Sequence, residues 1–179
     1  MDLVKSIHKA LSDEDIHHIL GRVCKIRKYS ELARYQDLEE PRPNLLGCAV
    51  VLYAEQESSG HWVGFLSATA YSSSPTPYGL IPAKELSWVS PKAMRTLSES
   101  VPYLSNLLKG ERYVYNRVKY QNLGSYVNTC GSHVVHRVYR LIHDNMCAHE
   151  YYEHMQKLRD AGNTSYDMSA ASFTKPKLA

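Results

Sequence analysis

The chain has few features that would stabilise or anchor it by means other than a folded core. Its 179 residues include only four cysteines, at widely spaced positions and without a C-x-x-C pair. This pattern argues against a disulfide framework and indicates a reducing compartment. No apolar run is long enough to cross a bilayer, and residues 1–10 lack the apolar region of a signal peptide. We therefore expect a protein that is not secreted and has no membrane partner.

The chain also has little net charge and few large apolar aromatic residues. Lys and Arg number 21 against 18 Asp and Glu, which gives a net charge of +3, and there are two Phe and two Trp against 14 Tyr. So small a net charge does not by itself predict a polyanion-binding protein. The hydrophobic share of 44% and charged share of 22% are typical of globular domains and exclude disorder for most of the chain. We expect one domain over residues 1–160, followed by a polar, mobile tail over 161–179.

Hydrophobic periodicity and turn residues predict an α+β order of elements. Ser12 and Asp15 have the spacing of a helix N-terminus. The apolar runs 47–54 and 61–71 predict a β-hairpin, and 112–120 predicts a third strand. Residues 72–79 are expected to form a loop or an irregular edge strand. Further helices are expected from 90, over 101–109, from Cys130 and over 148–158. The helix at Cys130 has an apolar stripe, with His133, His136, Arg137 and Arg140 off it.

Three residues combine the chemistry of a thiol hydrolase. Cys130 lies where a polar loop becomes a helix, and a helix N-terminus stabilises a thiolate and lowers its pKa. His61, at the head of a strand and followed by Trp62, would act as the base. The Gln121 amide and the Cys130 backbone N–H would hold an oxyanion, and Gly131 would let the chain approach a substrate closely. The structural alternatives are a small buried cysteine and a histidine satisfied by the backbone.

Five segments resemble the adenain-like cysteine peptidases of DNA viruses, which are similar to the proteases that cleave SUMO and other ubiquitin-like proteins. The segments are 60–63, 78–79, 102–104, 115–116 with Gln121, and 127–135. Residues 11–16 and 28–32 also resemble the viral branch. The resemblance covers about residues 10–145. It implies an α+β, papain-like fold in which helices flank a central mixed sheet and the nucleophile begins the central helix. It assigns Cys130 as nucleophile, His61 as base and Gln121 as oxyanion donor.

The resemblance also implies partners and a location. Substrates would be viral precursor proteins or ubiquitin-like conjugates, processed in the host cytoplasm, the nucleus or the virion. No bound cofactor or metal is implied, although DNA or a peptide would be an activator by resemblance alone. The basic residues Arg22, Lys25, Arg27 and Lys28 are compatible with a weak nucleic-acid contact, but a solvated basic face is the preferred interpretation. The histidines of the last third are interpreted as solvated helix residues rather than metal ligands.

The sequence departs from the family pattern at one position. The family places an acid after the histidine strand, where it holds the imidazole tautomer, and Thr76 stands at that position here. Three interpretations remain open: a Cys–His pair with a neutral orienting group such as Thr76, replacement of the acid by Glu85, or loss of activity. In the last case the protein is a catalytically silent interaction protein with a protease fold.

Overall fold

A computed structural model describes residues 7–37, 48–56, 59–68, 71–74, 84, 90–96, 101–110, 113–122 and 127–178. The molecule is a mixed α+β protein. Its strands are β1 (Lys25–Lys28), β2 (Cys48–Gln56), β3 (Ser59–Ala68), β4 (Tyr71–Ser74) and β5 (Tyr113–Tyr115). Its helices are α1 (Asp13–Leu20), α2 (Pro91–Thr96), α3 (Tyr103–Leu107), α4 (Cys130–Asp144), α5 (Ala148–Gly162) and α6 (Tyr166–Thr174). Short 3₁₀ turns cover Gly21–Val23, Tyr29–Arg34 and Lys175–Lys177.

The described strands form one mixed sheet in the order β1-β2-β3-β4-β5. The hairpin expected from the two apolar runs is confirmed as the antiparallel pair β2–β3, with Tyr53 opposite His61 and Leu52 opposite Trp62. Strand β1 lies parallel to β2, so part of the basic cluster is an edge strand. Strand β5 is only three residues long and pairs with β4 in parallel.

Local signals account for the first helix and for the central one. Ser12 and Asp15 form a capping box, in which the Ser12 hydroxyl accepts the Asp15 N–H and the Asp15 carboxylate accepts the Ser12 N–H. This satisfies two N–H groups that the helix itself leaves unpaired. Helix α4 begins at Cys130, as predicted, and ends at Asn145 in the left-handed conformation, which asparagine tolerates better than most residues.

Apolar residues are buried on both faces of the sheet. On one face α1 and α4 pack against β2 and β3 around Val50, Trp62 and Val134. On the other face the turn at Tyr29–Arg34 and α3 pack around Tyr29, Tyr53 and Leu104. The sheet is therefore the middle layer of the described fold, and α4 lies against it over much of its length.

The prediction of a mobile tail over residues 161–179 is wrong. Helix α5 continues to Gly162, and Tyr166–Thr174 forms α6, which packs on α4. Ala170 and Ala171 are fully buried, because their small side chains allow the two helices to approach closely. Burial by α5 and α6 also overturns the expectation that α4 has one solvated face. His133, His136 and Arg137 are all buried.

Candidate active site

Cys130 is the first residue of α4 and lies against the edge of β3. The backbone N–H groups of Trp62, Gly131 and Cys130 itself point at its thiol. In the described residues β3 pairs with β4 only from Leu66 to Ala68, which leaves the Trp62 N–H on an open stretch of edge. The fold therefore holds the sulfur next to the residue that follows His61.

The pKa of the Cys130 thiol is raised, which contradicts the sequence-based expectation of a lowered value. Burial is the largest cause, and it outweighs the three N–H donors, each of which acts to lower the pKa. Only 6% of the residue is exposed. A helix N-terminus stabilises a thiolate by a limited amount, whereas removing a charge from water costs more. The resting thiol is therefore protonated at neutral pH.

His61 is buried on β3, with 3% of its surface exposed. Burial lowers its pKa to about 3, and the positive charge that His133 would carry when protonated acts in the same direction. His133 lies one helical turn after Cys130, so this coupling brings His61 within electrostatic range of the start of α4. The imidazole is neutral at neutral pH, which is the form that accepts a proton.

Gln121 is buried, but its amide group is already engaged. Its Nε2 donates to the Val127 carbonyl at 3.0 Å, and its Oε1 has no hydrogen-bond partner among the described residues. The amide would have to leave Val127 before it donated to an oxyanion. A buried carbonyl oxygen without a partner is costly, and this cost favours rearrangement when a hydrogen-bond donor enters the site.

An N-terminal segment, residues 7–11, covers the turn that leads into Cys130. The Asn128 backbone N–H donates to the Ile7 carbonyl at 2.8 Å, and the Asn128 side-chain amide donates to the His8 carbonyl at 2.9 Å. The Trp62 indole N–H donates to the Leu11 carbonyl at 2.9 Å. These bonds hold a segment that begins with a turn at residues 7 and 8 beside the candidate nucleophile.

Gly131 allows a close approach, but to the protein's own chain. A Cβ at this position would lie 3.0 Å from the Leu11 Cβ and 3.1 Å from Trp62 Cδ1. The glycine therefore lets Leu11 and the Trp62 ring pack on the first turn of α4. The role expected from the sequence, contact with a substrate, would require Leu11 to move.

A carboxylate that the sequence analysis missed lies beside this site. Asp167 of α6 is buried. Its Oδ1 accepts the Thr129 hydroxyl and lies 3.2 Å from His133 Nε2, and its Oδ2 accepts the Asn122 N–H at 3.1 Å. The sequence contains one signal for the helix that carries Asp167. Ser165 is a cap residue, and an acid follows it in the first turn, which is typical of a helix start.

An open cleft of about 700 Å³ leads to the covered turn. Gly60, Trp62 and Asn128 line it together with Arg27, Lys28 and Glu31, whereas Cys130, His61 and Gln121 are not among its lining residues. Residues of both charge signs contribute to its walls. The cleft is large enough for several residues of an extended chain.

Several sequence-based expectations lie outside the described residues. They are Thr76, the Tyr78–Gly79 segment and Glu85. Within the described residues, no group of three or more His, Cys, Asp or Glu side chains is placed to hold a metal ion. No described helix is long and apolar enough to cross a membrane. All four cysteines are free, and Cys147 alone is exposed.

Searches of protein-family models and of curated proteins found no match to this chain. The residues and geometry of the site therefore carry the functional interpretation.

Proposed function

We propose that the protein is a cysteine endopeptidase of the adenain-like type, with Cys130 as nucleophile and His61 as base. One observation carries this proposal. The Cys130 thiol begins a helix, lies among three backbone N–H donors and abuts β3 at the residue after His61. The order of motifs along the chain and the mixed α+β architecture are compatible with that family. Viral precursor proteins and ubiquitin-like conjugates are the substrates that the resemblance suggests.

The reaction starts from a neutral thiol and a neutral imidazole. The thiol proton passes to His61 as Cys130 Sγ bonds to the peptide carbonyl carbon. Backbone N–H groups near Cys130, with the Gln121 amide once it leaves Val127, stabilise the oxyanion. The imidazolium then protonates the amine as the peptide bond breaks. Water hydrolyses the thioester, with His61 again taking and returning the proton.

The cleft lined in part by Gly60, Trp62 and Asn128 supports a peptide as substrate. Asn128 already pairs with backbone carbonyls, those of the turn residues Ile7 and His8. A substrate strand displacing residues 7–11 would find the same donors free, because main-chain hydrogen bonds are independent of sequence. The arrangement therefore favours an extended polypeptide over a small molecule.

A second function has its own supporting observation. Burial raises the pKa of the Cys130 thiol and lowers that of His61, and residues 7–11 cover the turn. A protein that kept the fold but lost the reaction would tolerate this arrangement. The alternative is a catalytically silent interaction protein that binds chains in the cleft.

A panel of peptide and ubiquitin-like vinyl sulfones separates the two functions. The electrophile traps a nucleophilic cysteine only after the peptide portion has bound. We expect a covalent adduct on Cys130 that disappears in Cys130→Ser and falls strongly in His61→Ala. Cys147→Ser serves as the background, because Cys147 is exposed and caps α5, where serine is a favoured cap. Binding without any adduct would instead support the silent protein.

Thr76→Asp tests the vacated acid position. If position 76 orients the imidazole as the family acid does, adding a carboxylate there should increase the rate of adduct formation at Cys130. Thr76→Asn is the matched control, because asparagine has the shape of aspartate without the charge. An unchanged rate in Thr76→Asp would exclude position 76 as the position of the acid.

A further inference from the structure

Asp167 joins three segments of the candidate site through one carboxylate. Thr129 directly precedes Cys130, His133 lies one turn after it, and Asn122 directly follows Gln121. The carboxylate contacts all three through its two oxygens. The buried face of α6 thus holds the Gln121 segment onto the start of α4.

The carboxylate is suited to this task because it is buried and both of its oxygens accept hydrogen bonds. Burial would raise the pKa of Asp167, but hydrogen bonds from His133 and Thr129 outweigh it, so the pKa is lowered. A charged acceptor holds its donors more tightly than a neutral one. His133 Nε2 fits a donated N–H, and its Nδ1 then has no hydrogen-bond partner among the described residues.

We infer that Asp167 is a positioning residue of the site, which sets the distance between Gln121 and Cys130 by holding Asn122, Thr129 and His133. This inference rests on the proposed function. The chain then has a buried acid on α6, near its C-terminal end, that holds both the turn before the proposed nucleophile and the segment of Gln121. The family acid, by contrast, acts on the base.

A purely structural role makes a different prediction, because α6 has other contacts with α4. Ser132 Oγ lies 3.1 Å from Thr174 Oγ1, and Ala170 and Ala171 are buried at the same interface. Loss of Thr174 would loosen the docking of α6 without touching the carboxylate. Thr174→Val is therefore a matched control for Asp167→Asn, and Asp160→Asn controls for removal of an exposed charge on α5.

The experiment measures two quantities in the full chain carrying Cys147→Ser. The first is the reaction of Cys130 with a peptide vinyl sulfone, separated into apparent affinity and maximal rate. The second is hydrogen exchange of the Asn122 amide. For Asp167→Asn we expect the maximal rate to fall roughly tenfold to a hundredfold, as expected for misplaced reacting groups, with little change in affinity. The Asn122 amide should exchange faster.

Each result decides one question. An unchanged maximal rate in Asp167→Asn, or an equal fall of the maximal rate in Thr174→Val, overturns the positioning role. The proposed peptidase function would not be affected by either result. Unchanged exchange at Asn122 overturns the hold on the Gln121 segment. A wild-type protein that reacts with no vinyl sulfone refutes the proposed function, and the exchange of Asn122 still decides whether Asp167 fixes this segment.

Discussion

The Cys130 thiol accepts the backbone N–H of Trp62, the residue after His61. This contact joins the start of the central helix to β3 at the residue next to His61, so the proposed nucleophile and the proposed base lie on elements that touch. Burial keeps both groups neutral in the resting protein. The proposed site is therefore closed in this structure, and the proposed reaction requires it to open.

A small alkylating reagent should modify Cys147 well before Cys130. Only the thiolate reacts, and Cys130 is buried with a raised pKa, whereas Cys147 is exposed. We expect Cys130 to react with iodoacetamide at neutral pH much more slowly than Cys147, because its raised pKa leaves little thiolate and its burial limits access of the reagent. Mass-spectrometric mapping of a time course measures both sites. Faster labelling at Cys130 would contradict the closed site.

Loosening the N-terminal segment should expose Cys130. Asn128→Ala removes the bond to the His8 carbonyl but leaves the backbone bond to Ile7. A hydrogen bond contributes about 0.5–1.5 kcal/mol, so we expect alkylation of Cys130 to rise about twofold to tenfold. Lys9→Ala, at an exposed position of the same segment, is the control and should label like wild type. If Asn128→Ala labels no faster, residues 7–11 do not limit access.

Local sequence signals predicted the parts of the fold whose causes are local. The cap at Ser12, the β2–β3 hairpin and the start of α4 at Cys130 each follow from residues within one turn or one hairpin. The site residues on these elements, Cys130 and His61, could therefore be placed on a helix start and a strand.

Distant packing explains what could not be predicted. Helix α6 contains mostly small residues, which form no apolar stripe, and it is buried because α4 offers a close-fitting surface. Once α6 covers α4, His133 and His136 lose contact with water. Tertiary contacts also set both shifted pKa values: hydrogen bonds from His133 and Thr129 lower that of Asp167 against the effect of burial, and burial raises that of Cys130. A reading of neighbouring residues alone therefore misses both.

Gly131→Ala should test how tightly the first turn of α4 is packed. The added methyl would meet Leu11 at 3.0 Å and the Trp62 ring at 3.1 Å, so one of them must move. Overpacking costs about 1–3 kcal/mol, and alanine returns about 1 kcal/mol through helix propensity. We expect a net loss of stability of up to about 2 kcal/mol in urea unfolding. Gly162→Ala, at the end of α5, meets the flexible Thr164 methyl instead and should cost less. An equal loss in both variants would show that Leu11 and Trp62 yield easily.

Acid should destabilise the fold through its buried histidines. Burial lowers the pKa of His61 to about 3 and that of His136 to about 2, with Arg140, His154, His133 and Arg137 adding to the effect on His136. Above pH 6.5, the ordinary value, both states are neutral and the full stability is present. Below it the unfolded chain binds protons that the folded chain does not, so stability falls as pH falls.

The slope of stability against pH measures this effect directly. Each such histidine contributes about 1.4 kcal/mol per pH unit well below pH 6.5. The slope is compared in urea unfolding between roughly pH 6 and pH 4, the window in which only the unfolded chain binds these protons. The plot of unfolding free energy against pH for His136→Gln should be shallower than that of wild type by about 1.4 kcal/mol per pH unit. The glutamine would lie beside Phe173 and could still accept the Arg140 N–H that His136 Nε2 accepts at 3.2 Å.

His149→Gln is the control, because His149 is exposed on α5. Its plot of unfolding free energy against pH should run parallel to that of wild type. Because the slope is compared and not the absolute stability, packing lost in either variant does not affect the result. Parallel lines for all three proteins would show that His136 binds its proton as readily in the folded chain as in the unfolded one, which contradicts a lowered pKa.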